Sequence, residues 1–193
     1  MTSLIDEDFI GVEADTQGNL SGTKGNGTWT ISKAQGDGWY FTGTPGWHAA
    51  SNGRTAGTYA WVDFSSTDTN TVMKLPELNV QNNGTTLEFE YYSDKGNYSM
   101  TYANILHIES RNDNAESDSN ITAGWTEVAK YQEFNSGWVT KTINLDSNNY
   151  HDSGNTLTLR FRAESGGDYY DYYNDLLVTN IKVDSGPPLT LVG

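Results

Sequence analysis

The stretch NTLTLRFRAES, residues 155–165, has a hydrophobic period of two. Its apolar side chains occupy every second position, at Leu157, Leu159, Phe161 and Ala163, and polar side chains fill the positions between them. This is the period of a β-strand with one face in a hydrophobic core and the other face turned away from it. The Gly-, Asn- and Ser-rich sequence on both sides is typical of turns. The stretch therefore predicts a core strand bounded by two turns.

The same alternation recurs along most of the chain, and helical periods are nearly absent. In TLEFEYY, for example, Leu87, Phe89 and Tyr91 form an apolar face. Such segments are short and are separated by residues that favour turns. They predict an all-β chain folded as an antiparallel β-sandwich of about nine strands. The predicted strands cover residues 27–33, 38–43, 57–64, 85–93, 102–111, 124–132, 137–146, 155–165 and 174–183.

A single domain accounts for this pattern, because the chain of 193 residues contains no internal repeat and no second core. We predict that residues 1–184 form the sandwich, with Met1–Ile5 as a short N-terminal arm. Residues 185–193 form a C-terminal tail, since Pro187 and Pro188 do not fit a central strand.

Composition argues against several classes of function. The formal net charge of −14 repels phosphate backbones and anionic lipid surfaces, so we expect no nucleic-acid partner and no membrane partner. The chain has no cysteine, which excludes disulfides and thiolate chemistry. It has no apolar segment of membrane-spanning length, and its first residues lack the basic and apolar regions of a signal peptide.

No catalytic constellation is recognisable, and we expect no enzymatic activity. The chain lacks a Gly-x-Ser-x-Gly elbow, a His-Glu-x-x-His pair and a phosphate-binding glycine loop. Glu88 and Glu90 share one strand face, as do Arg160 and Arg162. Two nearby carboxyl groups can serve a glycosidase. We favour cross-strand ion pairing between the glutamates and the arginines, if their strands are neighbours.

Five segments occur in a recognisable order: LIDEDFIG (4–11), GTYAWVDFSS (57–66), TLEFEYYS (86–93), GWTEVAKYQEFNSGWVTKTINLD (124–146) and NDLLVTNIKV (174–183). This order resembles the MAM domain and the related jelly-roll modules of bacterial adhesins. In that family an acidic residue beside a Phe opens the domain, a strand that reads like Tyr-Val-Asp carries an Asp, a hairpin with Trp lies mid-chain, and the last strand reads like Asp-Asp-Ile-x-Val. The resemblance implies a jelly-roll β-sandwich that serves adhesion or assembly.

The same resemblance implies a structural Ca²⁺ ion between the start of the chain and the last strand. Carried over by position, the implied ligands are Glu7 or Asp8, Asp63 in AWVDF and Asp175 in NDLLV. Calcium prefers several oxygen ligands that converge from separate segments.

Aromatic residues in loops indicate a recognition surface. Trp39, Tyr40 and Trp47 lie in the Gly-rich segment GDGWYFTGTPGWH (36–48), and four tyrosines lie close together in GGDYYDYYND (166–175). Core packing explains such loop residues poorly, whereas Tyr and Trp are enriched where proteins bind sugars or other proteins. We predict a binding rim for protein or glycan, formed by Trp39, Tyr40, Trp47, Tyr169, Tyr170, Tyr172 and Tyr173.

Two functions fit these features. The absence of an export signal and of cysteine favours a structural protein of a virus or phage particle, such as a capsid decoration (cement) protein, a head fibre or a tail component. It would contact capsid or tail proteins and copies of itself, with a homotrimer favoured. The alternative is a secreted bacterial carbohydrate-binding or adhesin module at the cell surface.

Overall fold

The computed structural model describes residues 1–51, 53–80, 84–111, 124–146, 150 and 156–186. These residues form two large antiparallel sheets that pack on a shared core, together with two small two-stranded sheets, which confirms the predicted all-β sandwich. Two short 3₁₀ helices, Trp47–Ser51 and Asp171–Tyr173, lie in connections. The strands are β1 (Thr2–Glu7), β2 (Glu13–Ala14), β3 (Leu20–Ser21), β4 (Thr30–Ser32), β5 (Trp39–Tyr40), β6 (Ala60–Val62), β7 (Thr71–Lys74), β8 (Leu78–Asn79), β9 (Thr86–Tyr92), β10 (Ile105–Arg111), β11 (Trp125–Tyr131), β12 (Val139–Asn144), β13 (Thr156–Leu157), β14 (Leu159–Glu164) and β15 (Leu176–Ser185). The two small sheets are β2-β3 and β8-β13.

The first sheet has six strands, in the order β12-β9-β15-β6-β5, and β1 also pairs with β15. Strand β15 is ten residues long, and its two halves have different partners. Residues 176–178 pair with β6, and residues 181–185 pair with β1. The change of partner falls at Asn180, whose φ of 49° lies in the left-handed region that Asn tolerates better than most residues. Strand β15 is therefore the centre of this sheet.

The second sheet has the order β11-β10-β14-β7-β4 and contains most of the stretch NTLTLRFRAES. Leu157, Leu159, Phe161 and Ala163 are all buried in the core, as their alternation predicts. The ring of Phe161 meets the ring of Phe89 in the first sheet edge-on, with centroids 5.0 Å apart. The apolar faces of the two predicted strands thus meet between the sheets.

The predicted ion pairing between β9 and β14 is wrong, because these strands lie in different sheets. The neighbours of β14 are β10 and β7, and the pairing with β10 places Glu109 opposite Arg160. The Arg160 Nε atom donates to Glu109 Oε2 at 2.5 Å, and Arg162 Nη2 donates to Glu109 Oε1 at 2.8 Å. In the first sheet, Glu90 pairs with Arg54 instead.

Residues 2–5 of the predicted N-terminal arm, Met1–Ile5, are instead part of a strand of the first sheet. Residues 2–7 form β1, which pairs with β15 in the same chain and places Ile5 opposite Val183. The Ile5 side chain is buried in the core. At the other end, β15 continues to Ser185, and residues 187–193 of the predicted tail lie outside the described residues. No helix formed by the described residues has the length and apolar character needed to cross a membrane.

Candidate functional site

Three connections meet at one end of the sandwich and bring six aromatic side chains together. Trp47 begins the first 3₁₀ helix, between β5 and β6, and Tyr98 lies between β9 and β10. The other four lie between β14 and β15, two just before the second 3₁₀ helix and two within it. We call this group the aromatic cluster: Trp47, Tyr98, Tyr169, Tyr170, Tyr172 and Tyr173.

Tyr173 is the centre of the aromatic cluster. Its ring is stacked on Tyr98, with centroids 4.2 Å apart and planes within 10°. It also lies nearly parallel to Tyr170, at 5.6 Å and 20°. The ring of Trp47 meets Tyr173 edge-on, at 4.7 Å and 90°. Stacked and edge-to-face pairs are the arrangements that aromatic rings favour, so the cluster supports itself as one continuous surface.

The aromatic cluster is open to solvent. Tyr169 is 85% exposed, Trp47 is 48% exposed and Tyr170 is 39% exposed. All six tryptophans of the chain lie within the described residues, and Trp47 is the only one of them that is exposed. A group of large rings left in water on a folded domain indicates a surface that binds something.

Two buried asparagines anchor the tyrosine-rich connection. The side-chain Nδ2 of Asn104 donates to the carbonyl oxygens of Asp171 and Asn174, each at 2.8 Å. Its Oδ1 accepts from the backbone N–H of Gly166 at 3.0 Å. Asn174 in turn accepts from the backbone N–H of Asn104 at 2.9 Å. Because both asparagines are fully buried, these hydrogen bonds fix the connection before any ligand arrives.

The carboxylate of Asp168 joins two of the three connections. Its Oδ2 accepts from the backbone N–H groups of Thr101 at 2.7 Å and Tyr102 at 3.2 Å. Its Oδ1 accepts from the backbone N–H of Tyr170 at 2.9 Å. The hydrogen bond from Tyr170, followed by that from Thr101, holds the pKa of Asp168 below its usual range. This carboxylate stays ionised and ties the tyrosines to the connection that carries Tyr98.

A second carboxylate fixes the segment that carries Trp47. The buried Asp175 accepts from the backbone N–H of Gly46 at 2.7 Å and from that of Phe64 at 3.1 Å. Burial raises the pKa of Asp175 to about 7. Two residues beyond Trp47, Ala49 packs in a small buried cluster on the first sheet. Trp47 therefore projects from a fixed backbone.

The phenol groups give the aromatic cluster a polar character. A hydrogen bond between the side chains of Tyr172 and Tyr173 raises the pKa of Tyr172 to about 12. Tyr172 is therefore neutral at physiological pH, and its hydroxyl both donates and accepts hydrogen bonds. The cluster offers flat apolar area edged with uncharged hydroxyls.

Five of the seven predicted rim residues lie in the aromatic cluster, and Trp39 and Tyr40 do not. Trp39 is a core residue, only 3% exposed, and its Nε1 donates to the Thr71 carbonyl at 3.0 Å. Tyr40 packs on Trp61, with ring centroids 5.0 Å apart, at a separate place on the surface. Sequence reasoning missed Tyr98, because a single tyrosine in the polar segment KGNYSM carries no signal that another loop will contact it.

The four carboxylates implied as calcium ligands each have hydrogen-bond or ion-pair partners within the protein. Both oxygens of Glu7 accept backbone N–H bonds, from Phe9 and Lys24, and Asp8 forms an ion pair with Lys24. Asp63 caps a local turn through the backbone N–H of Ser65.

Within the described ranges, no group of three or more His, Asp or Glu side chains is arranged to hold a metal ion. Calcium binding stays a prediction. Thermal melts with Ca²⁺ and with a chelator, in the wild type and in Asp175→Ala, would test it.

A polar network around His107 joins strands of the second sheet. Both ring nitrogens of His107 lie at hydrogen-bond distance from carboxylates, 2.7 Å from Glu127 and 2.8 Å from Glu164. Arg162 also contacts Glu164, at 3.5 Å. Because both nitrogens of the imidazole are occupied, His107 is not placed to act as a general base. The network joins β10, β11 and β14.

Comparisons with known proteins place the fold. No protein-family model matches the chain, and no curated protein matches its sequence. The K1 cleaved adhesin domain of Lys-gingipain from Porphyromonas gingivalis W83 is 14% identical, with a TM-score of 0.59, over 97% of this chain and all of that one. The K3 cleaved adhesin domain is 15% identical, with a TM-score of 0.58, over 95% of this chain and all of that one.

A xylan-binding domain from Paenibacillus barcinonensis is more distant, at 15% identity and a TM-score of 0.44, over 96% of this chain and 97% of that one. A TM-score this low supports no argument about the present chain. The two adhesin domains confirm the predicted adhesin-type β-sandwich at the level of the fold.

Proposed function

We propose that this domain is a non-enzymatic recognition module of the extracellular adhesin type, and that its aromatic cluster binds carbohydrate. The observation that carries the proposal is the set of six rings from three connections, four exposed and two half-buried, held by buried polar anchors. Sugar rings present apolar C–H faces that pack on aromatic rings, and their hydroxyls need neutral donors and acceptors such as phenols. The aromatic cluster supplies both.

The negative charge of the domain favours glycans without acidic groups as ligands. The chain carries a formal net charge of −14, and Asp168 lies beside Tyr169 and Tyr170. Sulfated or uronic-acid sugars would be repelled by this surface, whereas neutral sugars would not. We therefore propose a neutral glycan as the ligand.

The fold of the adhesin domains supports an extracellular or cell-surface location for this domain. A place in a virus particle, with capsid or tail proteins as partners, has no support from these comparisons and stays a prediction. The same holds for a homotrimer.

The first experiment is a screen of the purified domain against an array of neutral and acidic glycans, followed by calorimetric titration with the best soluble ligand. Trp47→Ala and Tyr170→Ala should each weaken binding about tenfold, which corresponds to about 1.4 kcal/mol. Circular dichroism should be unchanged, because neither side chain belongs to the core.

Tyr40→Ala is the matched control, since Tyr40 is 39% exposed, the same as Tyr170, but lies outside the aromatic cluster. It should bind the glycan as the wild type does. If no glycan on the array binds, or if Tyr40→Ala alone lowers the affinity, the proposed site is wrong.

A further inference from the structure

A groove of about 760 Å³ on the sandwich shares no residue with the aromatic cluster. One wall is residues 12–18, which precede β3, and the other is residues 37–42, which contain β5. Residues 31–33 of the β4 region also line it. The volume lies within the range of roughly 300–1,000 Å³ that is usual for ligand sites.

The groove runs along an open sheet edge. Strand β5 is the last strand of the first sheet, and within the described part of the chain no strand pairs with its outer edge. Strand β4 is the last strand of the second sheet, but its edge is covered, because the Ile31 N–H donates to the Gly18 carbonyl at 2.7 Å and Asn19 bridges to Thr30. An uncovered edge offers backbone groups on which another strand can form. The groove therefore exposes one such edge, that of β5.

The groove is also negatively charged. Glu13, Asp15 and Asp37 line it, and the only cationic side chain among its lining residues is Lys33. The Lys33 Nζ atom donates to the carbonyl oxygen of Asp37 at 3.0 Å. Burial, followed by nearby carboxylates of which Asp37 is the largest contributor, raises the pKa of Tyr40 above its usual value. The field in this groove thus favours a cation.

We propose that the groove binds an extended peptide segment that carries lysine or arginine and adds to the open edge of β5 as a strand. The backbone of the peptide would pair with β5, and its basic side chains would meet Glu13 and Asp37. Such a peptide would form hydrogen bonds with the open edge of β5 and ion pairs with the acidic side chains. A neutral sugar would form neither a strand pairing nor ion pairs.

A capped eight-residue peptide of alternating lysine and valine is the probe, titrated calorimetrically into the whole domain at low salt. Glu13→Gln/Asp37→Asn should weaken its binding at least tenfold. The matched control, Glu77→Gln/Asp184→Asn, removes the same charge outside the groove and should leave binding within twofold. Glu13 is exposed, so Glu13→Gln alone should leave the fold intact and weaken peptide binding by a smaller factor. This single variant serves as the test if the double variant does not fold.

A peptide of the same sequence with every second backbone nitrogen methylated should lose most of its affinity, because it cannot complete a strand. Trp47→Ala should bind the probe as the wild type does, which separates this site from the aromatic cluster. Equal binding to the two double variants would overturn the proposal, as would full binding of the methylated peptide. Binding of neutral cellohexaose in the groove would also overturn it.

Discussion

Replacing Asn104 with alanine tests how the aromatic cluster is held. The Asn104 side chain makes three hydrogen bonds, two as a donor to the carbonyls of Asp171 and Asn174 and one as an acceptor from Gly166. Alanine removes all three at a fully buried position and leaves their partners without this contact. At roughly 1 kcal/mol per hydrogen bond, Asn104→Ala should lower the free energy of unfolding by about 3 kcal/mol.

Urea denaturation followed by tryptophan fluorescence measures this loss directly. For a domain of this size, about 3 kcal/mol corresponds to a fall in melting temperature of roughly 6–12 °C. At temperatures where the Asn104→Ala variant is still folded, its glycan affinity should also be lower than that of the wild type. The reason is that the tyrosine-rich connection has lost its anchor and must be ordered by the ligand. Asn97→Ala, at an exposed position in the same connection between β9 and β10, is the control and should change neither quantity. A loss below 1 kcal/mol for Asn104→Ala would refute this account of the anchor.

Three further predictions concern pH and packing. The hydrogen bond from His107 holds the pKa of Glu164 below its usual value, so the pair stabilises the fold above about pH 4.5 and this contribution is lost as pH falls through the folded pKa. Glu164→Gln should therefore flatten the urea-stability curve at low pH, and an unchanged slope would contradict this. Burial raises the pKa of Asp68 to about 6, so this group should lower stability as pH rises from about 4 to about 6, and Asp68→Asn should show a smaller fall that leaves the contribution of Asp175. In Gly166→Ala the new Cβ would overlap a backbone carbonyl of the neighbouring connection, so the melting temperature should fall by at least about 4 °C, and a fall below 2 °C would speak against that contact.

Much of the sandwich was predictable from hydrophobic alternation alone. The faces of β9 and β14 were assigned correctly because a buried sheet face requires every second side chain to be apolar. Strand β1 was not predicted, because TSLIDE is short and its partner β15 lies at the opposite end of the chain. The pairing of Glu109 with Arg160 and Arg162 was also missed, because hydrophobic alternation does not reveal which strands are neighbours in a sheet.

The candidate site was partly predictable. The four tyrosines of the connection between β14 and β15 were identified because core packing does not explain so many rings in one loop. Tyr98 and the anchor residue Asn104 were not, because their roles depend on contacts between loops that are distant in the sequence. Trp39 was assigned to the rim from its Gly-rich surroundings, yet it points into the core, where its indole N–H has a backbone partner.

The most direct test of the proposed carbohydrate site follows the six indole N–H signals of the domain by NMR during titration with its best neutral glycan. Trp47 is the only exposed tryptophan and lies within the aromatic cluster, whereas the others are buried or half-buried elsewhere. We predict that the Trp47 signal shifts progressively to saturation and that the other five stay within the line width. A shift of Trp39 or Trp138 without a shift of Trp47, at saturating ligand, would contradict the proposal that the aromatic cluster binds carbohydrate.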